Sequence, residues 1–299
     1  MPPLIIADDF SGACDAAARA AANGYFAAAL LSPPLEAASA DLLGYSTESR
    51  HCSPEDARAR VRALAPLLSG RTLYKKIDST LRGPWIDEVV EILALTDYSQ
   101  AVVCPAFPAM GRTVRNGWLW VNDQPVEQIR SPFTIRDAST EDDLARIAAE
   151  ICSSILPVGS AGLASHFFRR SEVAPLGTIR PSGWLAVSRP SPWLVLIASE
   201  HLASQAQLQF LTQHNSEDLL INPDSFPSSL AGVFATGGET AARFLRRTQA
   251  RGLIELRELL PGVPAGLILG GSYNGTVMIT KAGGFGAPDT ILRAIQCFL

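Results

Sequence analysis

Short apolar runs alternate with small-residue loops and Ala- or Leu-rich stretches of helical spacing along most of the chain. That rhythm predicts an α/β fold. Residues 4–7 read as a strand, 8–12 as a loop, and 13–22 as a helix closed by Asn23 and Gly24. A second strand over 72–77 runs into the polar segment 78–84, after which 85–95 predicts a helix. The third, 101–104, is stopped by Pro105 and Pro108, which permit neither strand nor helix to continue. The fourth covers 155–158 and leads through Gly159 and Gly162 into a helix ending at Arg170.

Between Ser171 and Pro192 four prolines and two glycines leave little room for a regular element, so 171–192 reads as a linker. The rhythm then resumes with a strand over 193–199, a Gln-rich helix near 204–213, a strand over 232–235 and a helix over 239–248. An apolar run at 253–259, a turn at 261–264 and a strand over 276–280 follow. The expectation is two α/β domains with mostly parallel sheets, 1–170 and 193–299, joined by the Pro-rich segment.

Hydrophobic residues make up 47% and charged residues 18% of the 299, so the chain can bury a sizeable core and is not disordered as a whole. Lys and Arg number 25 against 29 Asp and Glu with no basic stripe, which argues against a nucleic-acid partner. Asp8 and Asp9 cut the first apolar run, so no export signal is read. The tract 193–198 is far shorter than the roughly 18 residues a membrane span needs, and a soluble protein is expected. The five cysteines are widely spaced, odd in number and form no C-x-x-C pair, which suits reduced, cytoplasmic thiols and argues against structural zinc.

In open α/β sheets, ligands gather beyond the carboxyl ends of the strands, where this chain's polar and glycine residues cluster. Asp8 and Asp9 end the first strand, and Asp15 falls in the first turn of the expected helix, where its charge suits the dipole. Such acids can bind a metal, hold substrate hydroxyls or act as a general base; a plain N-cap is the competing reading. Lys75, Lys76, Asp78, Ser79, Thr80 and Arg82 crowd another strand end, a density that suits an anionic, hydroxylated ligand. Strand alternation sends Lys75 and Lys76 to opposite faces, so at most one points at a site. Residues 236–240 and 281–286 carry glycines where a phosphate could approach the backbone, although neither matches a Walker A or dinucleotide fingerprint. His51, His166, His201 and His214 lack metal-ligand spacing, and no G-x-S-x-G elbow supplies a serine nucleophile. Trp118 and Trp120 read as structural.

The run Asp8-Asp9-Phe10-Ser11-Gly12-Ala13-Cys14-Asp15 resembles the D-D-[LF]-[TS]-G-A-x-D opening of the four-carbon acid sugar kinases. Residues 46–50, 75–83, 105–112 and 158–164 resemble further stretches of that family's N-terminal domain, and 236–241, 261–264 and 280–286 resemble its C-terminal nucleotide-binding domain. The resemblance implies two domains facing across a cleft and ATP-dependent phosphorylation of the terminal hydroxyl of a tetronate or 3-oxo-tetronate, with ATP and Mg2+ as cofactors. It makes Asp8, Asp9, Asp15, Arg50, Lys76, Asp78, Ser79, Thr80 and Arg82 candidate sugar-acid-site residues, and places Gly237, Gly238, Glu239, Thr240, Lys281, Gly283 and Gly284 around ATP. Among the acids, Asp9, Asp8 and Asp78 are the candidate catalytic groups, with Asp9 taken as base from its place at the strand end; no metal ligand is assigned. Homo-oligomer formation is left open.

Two departures mark this chain. Where the family carries an S-G-S-C-S-P-like phosphate loop, it reads Ala198-Ser199-Glu200-His201-Leu202-Ala203-Ser204, and the stretch before Gly232 is shorter than the pattern leads one to expect. An aspartate-based sugar-phosphate phosphohydrolase and a catalytically inactive sugar-acid-binding homologue are the alternatives. The first fits the position of Asp8 and Asp9 but not the D-x-D-G-[TS] pattern.

Overall fold

The computed structural model describes residues 1–31, 40–169, 192–214 and 219–298. The expected linker 171–192 lies outside them, apart from Pro192. The first half comprises β1 (Leu4–Ala7), α1 (Phe10–Ala21), β2 (Ala27–Leu30), β3 (Leu42–Ser46), α2 (Pro54–Arg62), α3 (Ala65–Leu68), β4 (Leu73–Lys76), α4 (Trp85–Leu95) and β5 (Gln100–Cys104). It continues with β6 (Arg112–Arg115), β7 (Trp118–Val121), β8 (Gln124–Gln128), β9 (Thr134–Ile135), α5 (Glu141–Glu150), β10 (Ile155–Gly159) and α6 (Ala161–Phe167). The second half holds β11 (Trp193–Ile197), α7 (Leu202–Gln213), β12 (Leu219–Ile221), β13 (Gly232–Thr236), α8 (Gly238–Arg247), β14 (Gly252–Leu260), β15 (Val263–Leu269), β16 (Val277–Lys281) and α9 (Thr290–Gln296).

Thirteen of these strands form one mixed sheet in the order β12-β11-β13-β16-β15-β14-β2-β3-β1-β4-β10-β5-β9. The two α/β halves expected from the sequence therefore share a sheet. Each half is mostly parallel, and the antiparallel pairing of β14 with β2 forms the seam, with Gly252 opposite Leu30 and Ile254 opposite Ala28. A glycine is required there, since a Cβ on Gly252 would lie 2.0 Å from the Ala29 carbonyl oxygen. Helix α1 packs over this seam, touching β2 and β3 on one side and β14, β15 and α8 on the other. Its alanines allow the close approach: Ala13, Ala16, Ala17 and Ala20 are fully buried, and a Cβ on Gly44 of β3 would come within 3.1 Å of the Ala13 carbonyl. One core consequently runs through both halves, from Ala13 and Phe107 to Leu253, Met278 and Phe285.

Three expectations change. Helix α1 begins at Phe10, not Ala13, because Asp9 caps it by accepting the Gly12 amide at 2.8 Å. Asp15 thus sits in the second turn, beyond the dipole's reach. Only Pro261 and Gly262 turn between β14 and β15, whereas Val263 and Pro264 belong to β15. Lys281 closes β16 instead of opening a loop. Trp118 and Trp120 lie in β7 of a separate three-stranded sheet, β6-β7-β8, where Trp118 is exposed.

Candidate active site

Strands β1, β3 and β4 are parallel neighbours in the sheet and deliver their carboxyl ends to one place. The loop after β3 brings Arg50 over the end of β1. Its Nε and Nη2 donate to the two oxygens of Asp8 at 2.7 and 2.9 Å, and its Nη1 donates to Asp9 Oδ2 at 2.6 Å. Burial alone would raise the Asp8 carboxyl, but the Arg50 charge, with Lys75 and Lys76 behind it, holds it below the usual range. Asp9 also accepts the Ser11 hydroxyl at 2.8 Å. After β4, Asp78 receives both Nε and Nη2 of Arg82 at 2.8 Å, together with the Thr80 hydroxyl. Burial opposes ionisation there as well, yet the Arg82 hydrogen bonds and the Arg50 charge keep Asp78 ionised far below its ordinary value. Of the three acids expected to carry chemistry, Asp8 and Asp78 are thus each locked by a bidentate guanidinium.

Asp15 differs. Its Oδ1 is buried with no hydrogen-bond partner, and burial pushes its carboxyl up against the pull of Arg19 and Lys76. It lines a narrow recess with Asp9, Lys76, Ser79, Ser160 and Phe107. Lys76 points into this recess and donates to the Ile77 carbonyl, whereas Lys75 faces the opposite layer. The recess shares Asp9, Ser11 and Arg50 with a larger cleft of about 880 Å³.

The second half supplies the far wall of that cleft. Gly237, in the left-handed region at φ 93°, turns the chain into α8, and Gly238 opens the helix. A Cβ on Gly238 would lie 2.4 Å from Asp9 Oδ2 and 2.9 Å from the Ser11 amide, so the N-termini of α1 and α8 abut. Thr240 lines the cleft, and exposed Glu239 pairs with Arg243 at 2.7 Å. Gly283 and Gly284 lie against Ser199 and His201, which with Glu200 complete the wall. Lys281 does not reach the cleft surface. It is fully buried, its Nζ donates to the Ala282 and Gly283 carbonyls, and burial pushes it down to about 7. Burial and the charges of Arg82, Lys281 and Arg112 lower His201 too.

Sequence patterns did not single out Glu48, Arg60 or Arg246. Glu48 adopts a left-handed backbone, φ 52°, and its carboxylate accepts from Ser46 at 2.5 Å and meets Arg246 of α8 at 3.4 Å. Arg60 donates to the Thr47 and Glu48 carbonyls. The non-glycine left-handed residue within S-T-E-S-R is detectable only in three dimensions.

The abutting helix ends make a strong test. Gly238→Ala is expected to force α1 and α8 apart, costing about 1 to 3 kcal/mol of stability. Thermal unfolding reads the loss; a variant that melts with the parent would mean that the contact is slack.

A sugar-binding N-terminal domain family model matches residues 4–133, and a nucleotide-binding C-terminal domain model matches 226–291. A D-threonate kinase of Bordetella bronchiseptica is 28% identical over 404 aligned positions, spanning 98% of this chain and 96% of that protein. About a hundred of those positions are gaps in this 299-residue chain. A D-erythronate kinase of Heliobacterium modesticaldum is 39% identical over 135 positions, 42% of this chain and 30% of its own length. A solved Salmonella typhimurium structure, described as a putative tRNA synthase, shares the fold at a TM-score of 0.73 and 19% identity, covering all of both chains.

Proposed function

The chain belongs to the family that pairs a sugar-binding N-terminal domain with a nucleotide-binding C-terminal domain, and from that premise we propose an ATP-dependent kinase acting on the terminal hydroxyl of a four-carbon sugar acid. The observation that carries the reading is the abutment of α1 and α8. Two helix N-termini, one capped by Asp9 with Arg50 of the β3 loop lying against that cap and the other opened by a glycine turn, face the same point from opposite halves. Phosphoryl transfer needs its reactants in line and its charge neutralised, and helix N-termini suit a transferring phosphoryl group.

In this reading, Asp9 takes the hydroxyl proton, since it borders both the recess and α8. The unpartnered oxygen of Asp15 accepts a substrate hydroxyl, while Lys76, Ser79, Thr80 and Arg82 hold the sugar acid with Arg50 fixing the acids. Gly237, Gly238, Glu239, Thr240, Gly283 and Gly284 border the nucleotide. Lys281 supports the Ala282–Gly283 backbone from beneath. Among the described residues no group of three or more His, Cys, Asp or Glu is placed to hold a metal. Mg2+ commonly binds through phosphate oxygens and one or two carboxylates, and Asp9 and Glu48 on the cleft wall fit that lesser demand. No described helix is long and apolar enough to cross a membrane. A phosphohydrolase is not favoured, since Asp8 has both oxygens tied to Arg50 and the relatives matched along the chain are named as kinases.

Coupled ADP release is measured with D-threonate, D-erythronate and 3-oxo-tetronates. Release that depends on one of these acids is expected; ADP release no faster than with ATP alone for every acid overturns the kinase reading. Glu200 adds a separate expectation. This exposed acid on the nucleotide wall repels phosphate, and Glu200→Gly should tighten ATP by a few fold, corresponding to about 0.2 to 1 kcal/mol for an exposed charge. Calorimetry showing unchanged affinity would place the loop away from the phosphates.

A further inference from the structure

We propose that the buried Lys75–Glu88 pair and the hydroxyls of Thr47 and Ser49 are a positioning device for Arg50, an inference that rests on the kinase reading above. Both charged side chains are fully buried, with Lys75 Nζ 2.9 Å from Glu88 Oε2. The other oxygen of Glu88 accepts from Ser49 at 2.8 Å and lies 3.0 Å from the Thr47 hydroxyl, which is also 2.9 Å from the Ala7 carbonyl oxygen and 2.7 Å from the Ser49 hydroxyl. These residues flank Glu48 and precede Arg50, so the network grips the segment that carries the guanidinium.

The main chain completes the grip. The Thr47 amide donates to the Ala7 carbonyl at 2.8 Å, and the Ser49 and Arg50 amides donate to the Asp8 carbonyl at 3.0 and 3.2 Å. Arg50 is thereby held at a fixed height above the very strand end whose acids it clamps.

Glu88 lies in the first turn of α4, on the layer opposite α1, and touches neither the recess nor the cleft. A buried ion pair is weak evidence for stability, because desolvation offsets the attraction. What this pair provides is geometry: a carboxylate fixed in place beside the two hydroxyls of the segment that carries Arg50. The lysine pair divides the work, Lys76 serving the recess and Lys75 anchoring Glu88.

The test compares Thr47→Val, which keeps the shape and removes the hydroxyl, with Thr47→Ser, which keeps the hydroxyl. Expected for Thr47→Val is a fall of tenfold or more in kcat/KM for whichever tetronate the parent turns over, with the KM for ATP within twofold. Thr47→Ser should stay within threefold of the parent on both. Equal losses in the two variants, or a loss confined to melting temperature, would overturn the positioning role. A crystal structure of Glu88→Gln provides a readout free of turnover. Arg50 displaced from Asp8 or Asp9 is expected, and Arg50 retaining all three contacts refutes the proposal. Should the parent turn over no tetronate, the kinase reading fails alone, and the crystal structure still decides the positioning role.

Discussion

Asp9→Asn is expected to lower kcat by 10² to 10⁴ while leaving the fold and nucleotide binding in place. Asparagine caps a helix about as well as aspartate, so the bond from the Gly12 amide survives and α1 keeps its start. What is lost is the ability to accept a proton at the point where α1 meets α8. The same replacement at Asp8 and Asp78 removes the partner of a bidentate guanidinium, so those variants should lose stability along with activity. Asp15→Asn should act mainly on the KM for the sugar acid, since its free oxygen lies in the recess and not at the helix junction. Steady-state rates and melting temperatures of the four variants, measured side by side, decide the assignment. Full turnover in Asp9→Asn, with loss in Asp15→Asn, would move the base to Asp15.

Strands β1, β4, β5, β10, β11, β13 and β16 were legible, most of them because a parallel strand buried on both faces writes an unbroken apolar run, as Leu4–Ala7 and Trp193–Ile197 do, whereas the other nine described strands were not read as strands. Gly12 misled for a physical reason. Glycine usually marks a loop, but here it lies inside α1 because a Cβ would sit 2.7 Å from Asp9 Oδ1 and 3.1 Å from Lys76 Nζ. The glycine records the tightness of the site. The seam was silent: β2 reads Ala-Ala-Ala-Leu, a weak strand by propensity, and its partner β14 comes from more than two hundred residues away. Lys281 looked like a phosphate ligand because of its glycine neighbours, and only the end of β16 shows its ammonium turned inward. Glu88 and Arg246 belong to no local pattern, and the 46–50 stretch gave Glu48 no role of its own. Glu88 pairs with Thr47 and Lys75, 41 and 13 positions away, and Glu48 pairs with Arg246, 198 positions away, which a single sequence does not display.

Removing the Arg50 charge should be the most damaging single change to the fold. Arg50→Met keeps the aliphatic stem but leaves Asp8, 1% exposed, and Asp9, 8% exposed, without their shared cation. Breaking a buried ion pair on one side costs about 3 to 5 kcal/mol, since the remaining charge is desolvated and unpaired. The pH dependence identifies the cause. In the parent, the folded Asp8 carboxyl titrates below its unfolded value, so its contribution is present above the unfolded value and is lost as pH falls through the folded one. In the variant, burial acts without its main opponent and the carboxyl rises above the unfolded value. Folding then favours proton uptake, and stability is regained as pH falls toward the unfolded carboxylate range. Denaturant unfolding at pH 5 and pH 7.5 separates the two behaviours. The variant should be relatively more stable at the lower pH, and the parent should not. A loss that is equal at both pH values would show that Arg50 acts through packing of its stem, leaving the two aspartates held by the helix end and Lys76.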